Sequence, residues 1–193
     1  MKNIMICITC VCIALLSACG NDKEPEINGT KNTIDSLKTE VHKIDSILFC
    51  GKLAHLDIYD IGEIKTVAIS VQKVTTDNES LSVVNFRKDC GGQYFYSWED
   101  ARMLESECQY FINAIKTIRS NIKSSVEHGE QYAYVTIDDI RILAYATKGK
   151  PWKVELSVDY FKSNSTITIS DQELEELIAI IQKAQQKIKE ISK

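Results

Sequence analysis

The sequence predicts an α+β fold in which an antiparallel β-sheet carries amphipathic helices on one face, arranged as two strand-then-helix halves. Three observations carry this expectation. Between Leu53 and Phe86 the chain passes through β-branched and aromatic runs separated by turn residues. From Trp152 to Tyr160, apolar Trp152, Val154, Leu156, Val158 and Tyr160 alternate strictly with Lys153, Glu155, Ser157 and Asp159, the pattern of a half-buried strand. Two segments opening at Ser97 and Ser170 then carry apolar residues at helical spacing.

The elements follow in order. Leu53 to Ile61, Ile64 to Val74 and Leu81 to Phe86 read as strands, and Thr75-Thr76-Asp77-Asn78-Glu79 as the hairpin loop joining the last two. Gln93 to Tyr96 reads as a short strand after the Gly91-Gly92 turn. Ser97 is placed to cap a helix, with Glu99 and Asp100 favouring its dipole. Its stripe is Ala101, Leu104, Cys108, Phe111, Ile115, Ile118 and Ile122. In the second half, Gln131 to Ile137 and Ile140 to Thr147 are strand-like, and Lys148-Gly149-Lys150-Pro151 turns the chain into the alternating segment. Ser163-Asn164 then turns it into Thr166 to Ile169. Ser170 with Glu173 has the spacing of a capping box, and Leu174, Leu177, Ile178, Ile181, Ala184 and Ile188 follow. Placing Ser97 on Ser170 aligns Leu104 with Leu177, Cys108 with Ile181 and Ile115 with Ile188.

Upstream of residue 51, Ile34, Leu37, Val41, Ile44 and Leu48 alternate in steps of three and four, an apolar helical seam. Asn32 or Thr33 caps its start and Gly51 stops it. Residues 32–50 therefore read as an amphipathic helix folded on its own domain, or as a short coiled-coil spacer through which copies self-associate.

Before this seam lies a leader. Lys2 opens an apolar stretch from Ile4 to Leu16, and small residues precede Cys19. At roughly 13 residues the stretch is shorter than the about 20 that span a bilayer, so it has the layout of a cleaved signal. Leu16-Ser17-Ala18-Cys19 resembles the lipobox of bacterial lipoproteins. That resemblance implies cleavage before Cys19, a diacylglycerol thioether on its sulfur and a fatty acyl group on its amine. It also implies stable membrane anchoring, because two or more chains hold where one binds reversibly. Gly20 follows where enteric lipoproteins retained at the inner membrane tend to carry Asp, so the same resemblance points to the outer membrane, facing the periplasm or exposed at the surface. The expected organisation is signal peptide 1–18, tether 19–31, helix or spacer 32–50 and one α+β domain over 51–193.

Composition narrows the function classes. Removal of residues 1–18 takes away Lys2, one of 23 Lys and Arg against 27 Asp and Glu, moving the formal charge from −4 to −5. That balance argues against nucleic acid, whose binding needs clustered cations, and against electrostatic docking on anionic lipid. Of the seven cysteines, Cys7, Cys10 and Cys12 leave with the leader. Cys108 falls on an apolar helix face. Cys50 beside Gly51 and Cys90 beside Gly91-Gly92 sit in turns, and a disulfide between them is one outcome in an oxidising compartment.

Candidate sites are few. His55 and Asp57 share a strand face and offer two metal ligands, with Asp60 on the opposite face. Asp138-Asp139 suits a turn better than an acid/base pair. Tyr94, Tyr96 and Trp98 form the best candidate binding surface, since exposed Tyr and Trp give rigid contact area with a polar handle. No cofactor is expected, and no phosphate-cradling loop, nucleophile elbow or zinc-binding helix motif occurs. The expected function is a lipid-anchored binding module for a protein or glycan partner. A periplasmic inhibitor or immunity lipoprotein and a carboxylate-dependent hydrolase are the alternatives.

Overall fold

A computed structural model describes residues 36, 38, 39, 41, 43, 53–77, 79–91, 97–122 and 126–192 of the chain. Cys19, the leader, the tether and Cys50 lie outside the described residues, as do Ile34, Leu37, Ile44 and Leu48 of the seam. The described elements are β1 (His55–Ile64), β2 (Val67–Thr75), β3 (Ser80–Asp89), β4 (Trp98–Leu104), α1 (Glu105–Asn121), β5 (Glu130–Val135), β6 (Arg141–Ala146), β7 (Lys153–Ser157), a 3-10 turn (Ser163–Ser165), β8 (Thr166–Ile169) and α2 (Asp171–Ile191). They form two antiparallel four-stranded sheets, β1-β2-β3-β4 and β5-β6-β7-β8, each followed by one helix. The fold is α+β with two strand-then-helix halves.

Both sheets turn one face to the same core. Val67, Ile69, Val71, Val84, Phe86, Ala101 and Met103 from the first meet Ile142, Ala144, Val154, Leu156 and Ile169 from the second. The stripes Cys108-Phe111-Ile112-Ile115 of α1 and Leu174-Leu177-Ile181-Ala184 of α2 lie in the same cluster. Phe111 joins the halves, with its ring edge-on to Phe86 at 6.1 Å and to Tyr134 at 5.9 Å.

Three expectations change, two of them about boundaries. The segment read as the first turns of a helix from Ser97 is instead β4, and α1 starts at Glu105. Ala101 and Met103 alternate inward as well as fitting a helical stripe, and the strand wins because residues 98–104 pair rung by rung with β3. The break expected after Ile61 is a bulge between Asp60 and Gly62, and β1 continues to Ile64. Gly62 allows a close approach there, since a Cβ would sit 3.1 Å from Cδ1 and Cγ1 of Ile180 on α2. The chain turns instead at Lys65, which holds a left-handed φ of 54°. Finally, Ser157 is buried although the alternation puts it outside. Its hydroxyl lies 2.8 Å from Thr166 Oγ1 and accepts from Arg141 Nη2 at 3.3 Å.

The other face of the first sheet is partly covered. Val41, in a helical position, is fully buried with Val74, Val83 and Leu104, and Ala54, Leu81 and Ile137 pack around them. Val41 is thus spent on the chain's own sheet. On the second sheet the position equivalent to Val83 is Lys153, since Val84 and Val154 hold matching inward rungs against Met103 and Ile169. Lys153 is exposed.

Candidate functional site

Val41 leaves open on the first sheet's outer face, beside the exposed Ala68 of β2 and Ile58 of β1, a three-rung ladder across β3 and β4. The register sets Asn85 opposite Arg102, Arg87 opposite Asp100 and Asp89 opposite Trp98. Trp98 is 53% exposed, and the Arg87 guanidinium lies 4.4 Å from the centre of its ring. Arg87 Nε sits 3.9 Å from Asp100 Oδ1. Asn85 is 2% exposed; its Nδ2 faces the same oxygen at 3.5 Å, while its Oδ1 is buried without a hydrogen-bond partner. The connection beyond this end is closed by Cys90 N–H donating to Ser97 O at 2.8 Å and by Gly91 N–H donating to Asp89 Oδ1 at 2.8 Å. Tyr94 and Tyr96, in that connection, lie outside the described residues.

The loop after β7 reaches the same end. Lys162 Nζ meets Glu99 Oε2 at 2.6 Å and Lys88 Nζ donates to Asn164 O at 2.6 Å. The Glu99 carboxylate and Asp159 raise the pKa of Lys162 above its ordinary value. Phe161 is 71% exposed and stacks on Tyr160, ring centres 3.9 Å apart, and Arg141 lies over Tyr160. Phe161 was not among the sequence candidates. It stands alone after an alternating run, and only the placement of Lys162 against Glu99 brings it to the Trp98 end.

Of the remaining candidates, Asp138 reaches this surface at Arg102. His55 Nε2 and Asp57 Oδ1 are 3.0 Å apart on edge strand β1. They share a face as expected, and no group of three His, Cys, Asp or Glu that could hold a metal occurs among the described residues. Asp138 and Asp139 lie in the β5–β6 turn, where Asp138 Oδ2 accepts from Arg102 N–H at 2.7 Å and Asp139 holds φ 63°. Cys90 is a free thiol 3.4 Å from Asn164 O. Cys108 is fully buried, and burial followed by the nearby carboxylates pushes its thiol up to about 12. Glu107 is also buried, which raises its pKa against the lowering effect of the two backbone N–H groups it accepts.

A cleft of about 630 Å³ opens elsewhere, between the β2–β3 hairpin, the start of α1 and the end of α2. Lys73, Ser82, Glu105, Ser106, Ile188 and Ser192 are among the residues that line it. Its one lysine is engaged, because Lys73 Nζ donates to Ile191 O at 2.7 Å and so caps the last turn of α2. The Trp98 ladder is therefore the arrangement best suited to a ligand: an open aromatic ring, a guanidinium, a carboxylate and an unsatisfied amide oxygen on one face.

No family model matches the chain, and no curated protein or solved structure matches it either.

Proposed function

We propose that this chain is a lipid-anchored cell-envelope protein that binds a protein or glycan partner on the Trp98 surface without transforming it. The observation that carries the reading is Trp98 itself: half its surface is open on a sheet edge where aromatic side chains ordinarily turn inward. The most buried titratable groups are committed to structure, with both Glu107 oxygens on backbone N–H groups and the Cys108 thiol donating to Leu104 O at 3.4 Å. That supports binding over catalysis.

The anchor in this reading is Cys19, with the domain held at the outer membrane. No helix among the described residues is long and apolar enough to cross a bilayer. Changing Cys19 to Ala should abolish incorporation of labelled fatty acid and leave an unprocessed precursor. Persistent labelling would remove the anchor from the proposal. For binding, a photo-crosslinking amino acid placed at Trp98 should give a discrete adduct in intact envelopes, while one at exposed Lys148 should not. Equal labelling from both positions would sink the assignment of the site.

A further inference from the structure

We infer that the ligand of the Trp98 ladder is a neutral oligosaccharide, an inference that rests on the binding reading above and names its partner's chemistry. Each rung contributes a different requirement. Trp98 offers a flat, rigid ring whose one face carries the Arg87 guanidinium and half of whose surface is open; a pyranose packs its C–H side on a ring face of this kind.

The next rung sets charge. Arg87 and Asp100 face each other across the strands at 3.9 Å, so this rung presents a donor fork beside a carboxylate acceptor with no net charge between them. A phosphate or sulfate placed here meets Asp100, and an ammonium meets Arg87; either sign is disfavoured. A sugar hydroxyl both donates and accepts, and so bridges the two groups.

The third rung sets the Asn85 amide opposite the Arg102 guanidinium, and the amide oxygen asks for a donor. Asn85 Oδ1 is buried and unpartnered, while Nδ2 of the same amide is turned to Asp100. A buried carbonyl oxygen left without a donor is costly, and a hydroxyl hydrogen delivered between the strands satisfies it.

Beyond Asn85 the face is closed by the Val41 cluster at Val83 and Leu104, and sideways it continues over Ala68 and Ser70 of β2, which pair with Arg87 and Asn85. The three rungs on β3 and β4 cover about 14 Å by about 5 Å, room for one or two sugar rings.

The test uses the full chain in detergent micelles. Trp98 and Trp152 are its two tryptophans, so a Trp152→Phe background lets Trp98 alone report by fluorescence. Maltohexaose, cellohexaose, xylohexaose and mannohexaose are titrated separately, with a sulfated heparin hexasaccharide as the charged probe. At least one neutral probe should shift the emission saturably, and the sulfated one should bind more weakly. Calorimetry on Trp98→Ala and on Arg87→Ala, with folding checked by circular dichroism, should each show affinity falling about tenfold. A saturable response that survives Trp98→Ala, tighter binding of the sulfated probe, or silence from all four neutral probes would overturn the inference. The crosslinker at Trp98 tells the two failures apart. A protein adduct with a silent sugar panel leaves the binding reading standing, whereas silence in both removes that reading too.

Discussion

Glu107 Oε1 accepts the backbone N–H of Ile137 at 2.9 Å, tying the first turn of α1 to the β5–β6 turn 30 residues later. Its Oε2 accepts from Leu104 N–H at 3.1 Å, so one carboxylate both caps its own helix and clasps the second half. The clasp is reciprocal, since Asp138 of the second half accepts from Arg102 N–H of the first. Changing Glu107 to Gln turns one acceptor into a donor that faces a buried N–H. We expect a loss of about 1–3 kcal/mol, measured by urea unfolding.

The pH dependence of that loss has a defined sign. Burial raises the Glu107 pKa above its ordinary 4.5, so the folded chain holds the proton more tightly than the unfolded one. Its contribution is greatest at low pH and falls as pH rises from 4.5 through the raised folded value. The gap between wild type and Glu107→Gln should therefore narrow with rising pH in that window. A gap that widens would show that the two backbone hydrogen bonds outweigh desolvation.

Val41 ties residues upstream of β1 to the first sheet through Val74, Val83 and Leu104. Val41→Ala should cost about 1–3 kcal/mol by leaving a cavity. Val41→Asp should go further and undock the segment. Hydrogen exchange would then accelerate at Lys38, Thr39 and position 41 while Phe86 and Phe111 stay protected. If protection at these three residues is unchanged, Val41 does not hold them to the sheet.

How much of this was legible in the sequence depends on how local each cause is. The start of α2 was legible because Ser170 and Glu173 cap each other within four residues. The start of α1 was not, because Leu104 has no side-chain acceptor and Glu107 completes its bonding through a residue 30 positions away. The correspondence between the two halves takes a different register in the structure. The caps align Leu104 with Ser170, which pairs Cys108 with Leu174, Phe111 with Leu177 and Ile115 with Ile181, one heptad from the alignment based on Ser97. Seven residues make nearly two helical turns, so either register matches the apolar stripes. The same misreading hid most of the site: Trp98 was legible as an aromatic, but Arg87, Asp100 and Asn85 join it only through the β3–β4 pairing.

Gly62 tests whether backbone approach, rather than a turn, explains the glycine in β1. Gly62→Ala should cost about 1 kcal/mol by pressing on Ile180, and Gly62→Val about 2–3 kcal/mol. Pairing either with Ile180→Ala should recover part of the loss. If Gly62→Ala is neutral and the double variant is additive, the close approach is relaxed by Ile180 alone and the bulge needs no glycine.

Glu173 holds the same third position in α2 that Glu107 holds in α1, and the two carboxylates should respond to pH in opposite directions. Glu173 Oε2 accepts from Ser170 N–H at 2.7 Å, Ser170 Oγ accepts from Glu173 N–H at 3.3 Å, and Lys65 Nζ stands 3.2 Å from that carboxylate. Glu173 is half-buried rather than enclosed, and the Ser170 backbone hydrogen bond pulls its pKa below 4.5. Its contribution is therefore present above 4.5 and lost as pH falls through the lowered folded value. Ser170→Ala should cost about 1 kcal/mol near neutral pH. Below pH 4.5 the gap between wild type and Glu173→Gln should shrink as acid is added, where that for Glu107→Gln is at its widest. Urea unfolding of both variants across this range decides the matter, and parallel trends would mean that burial does not separate the two caps.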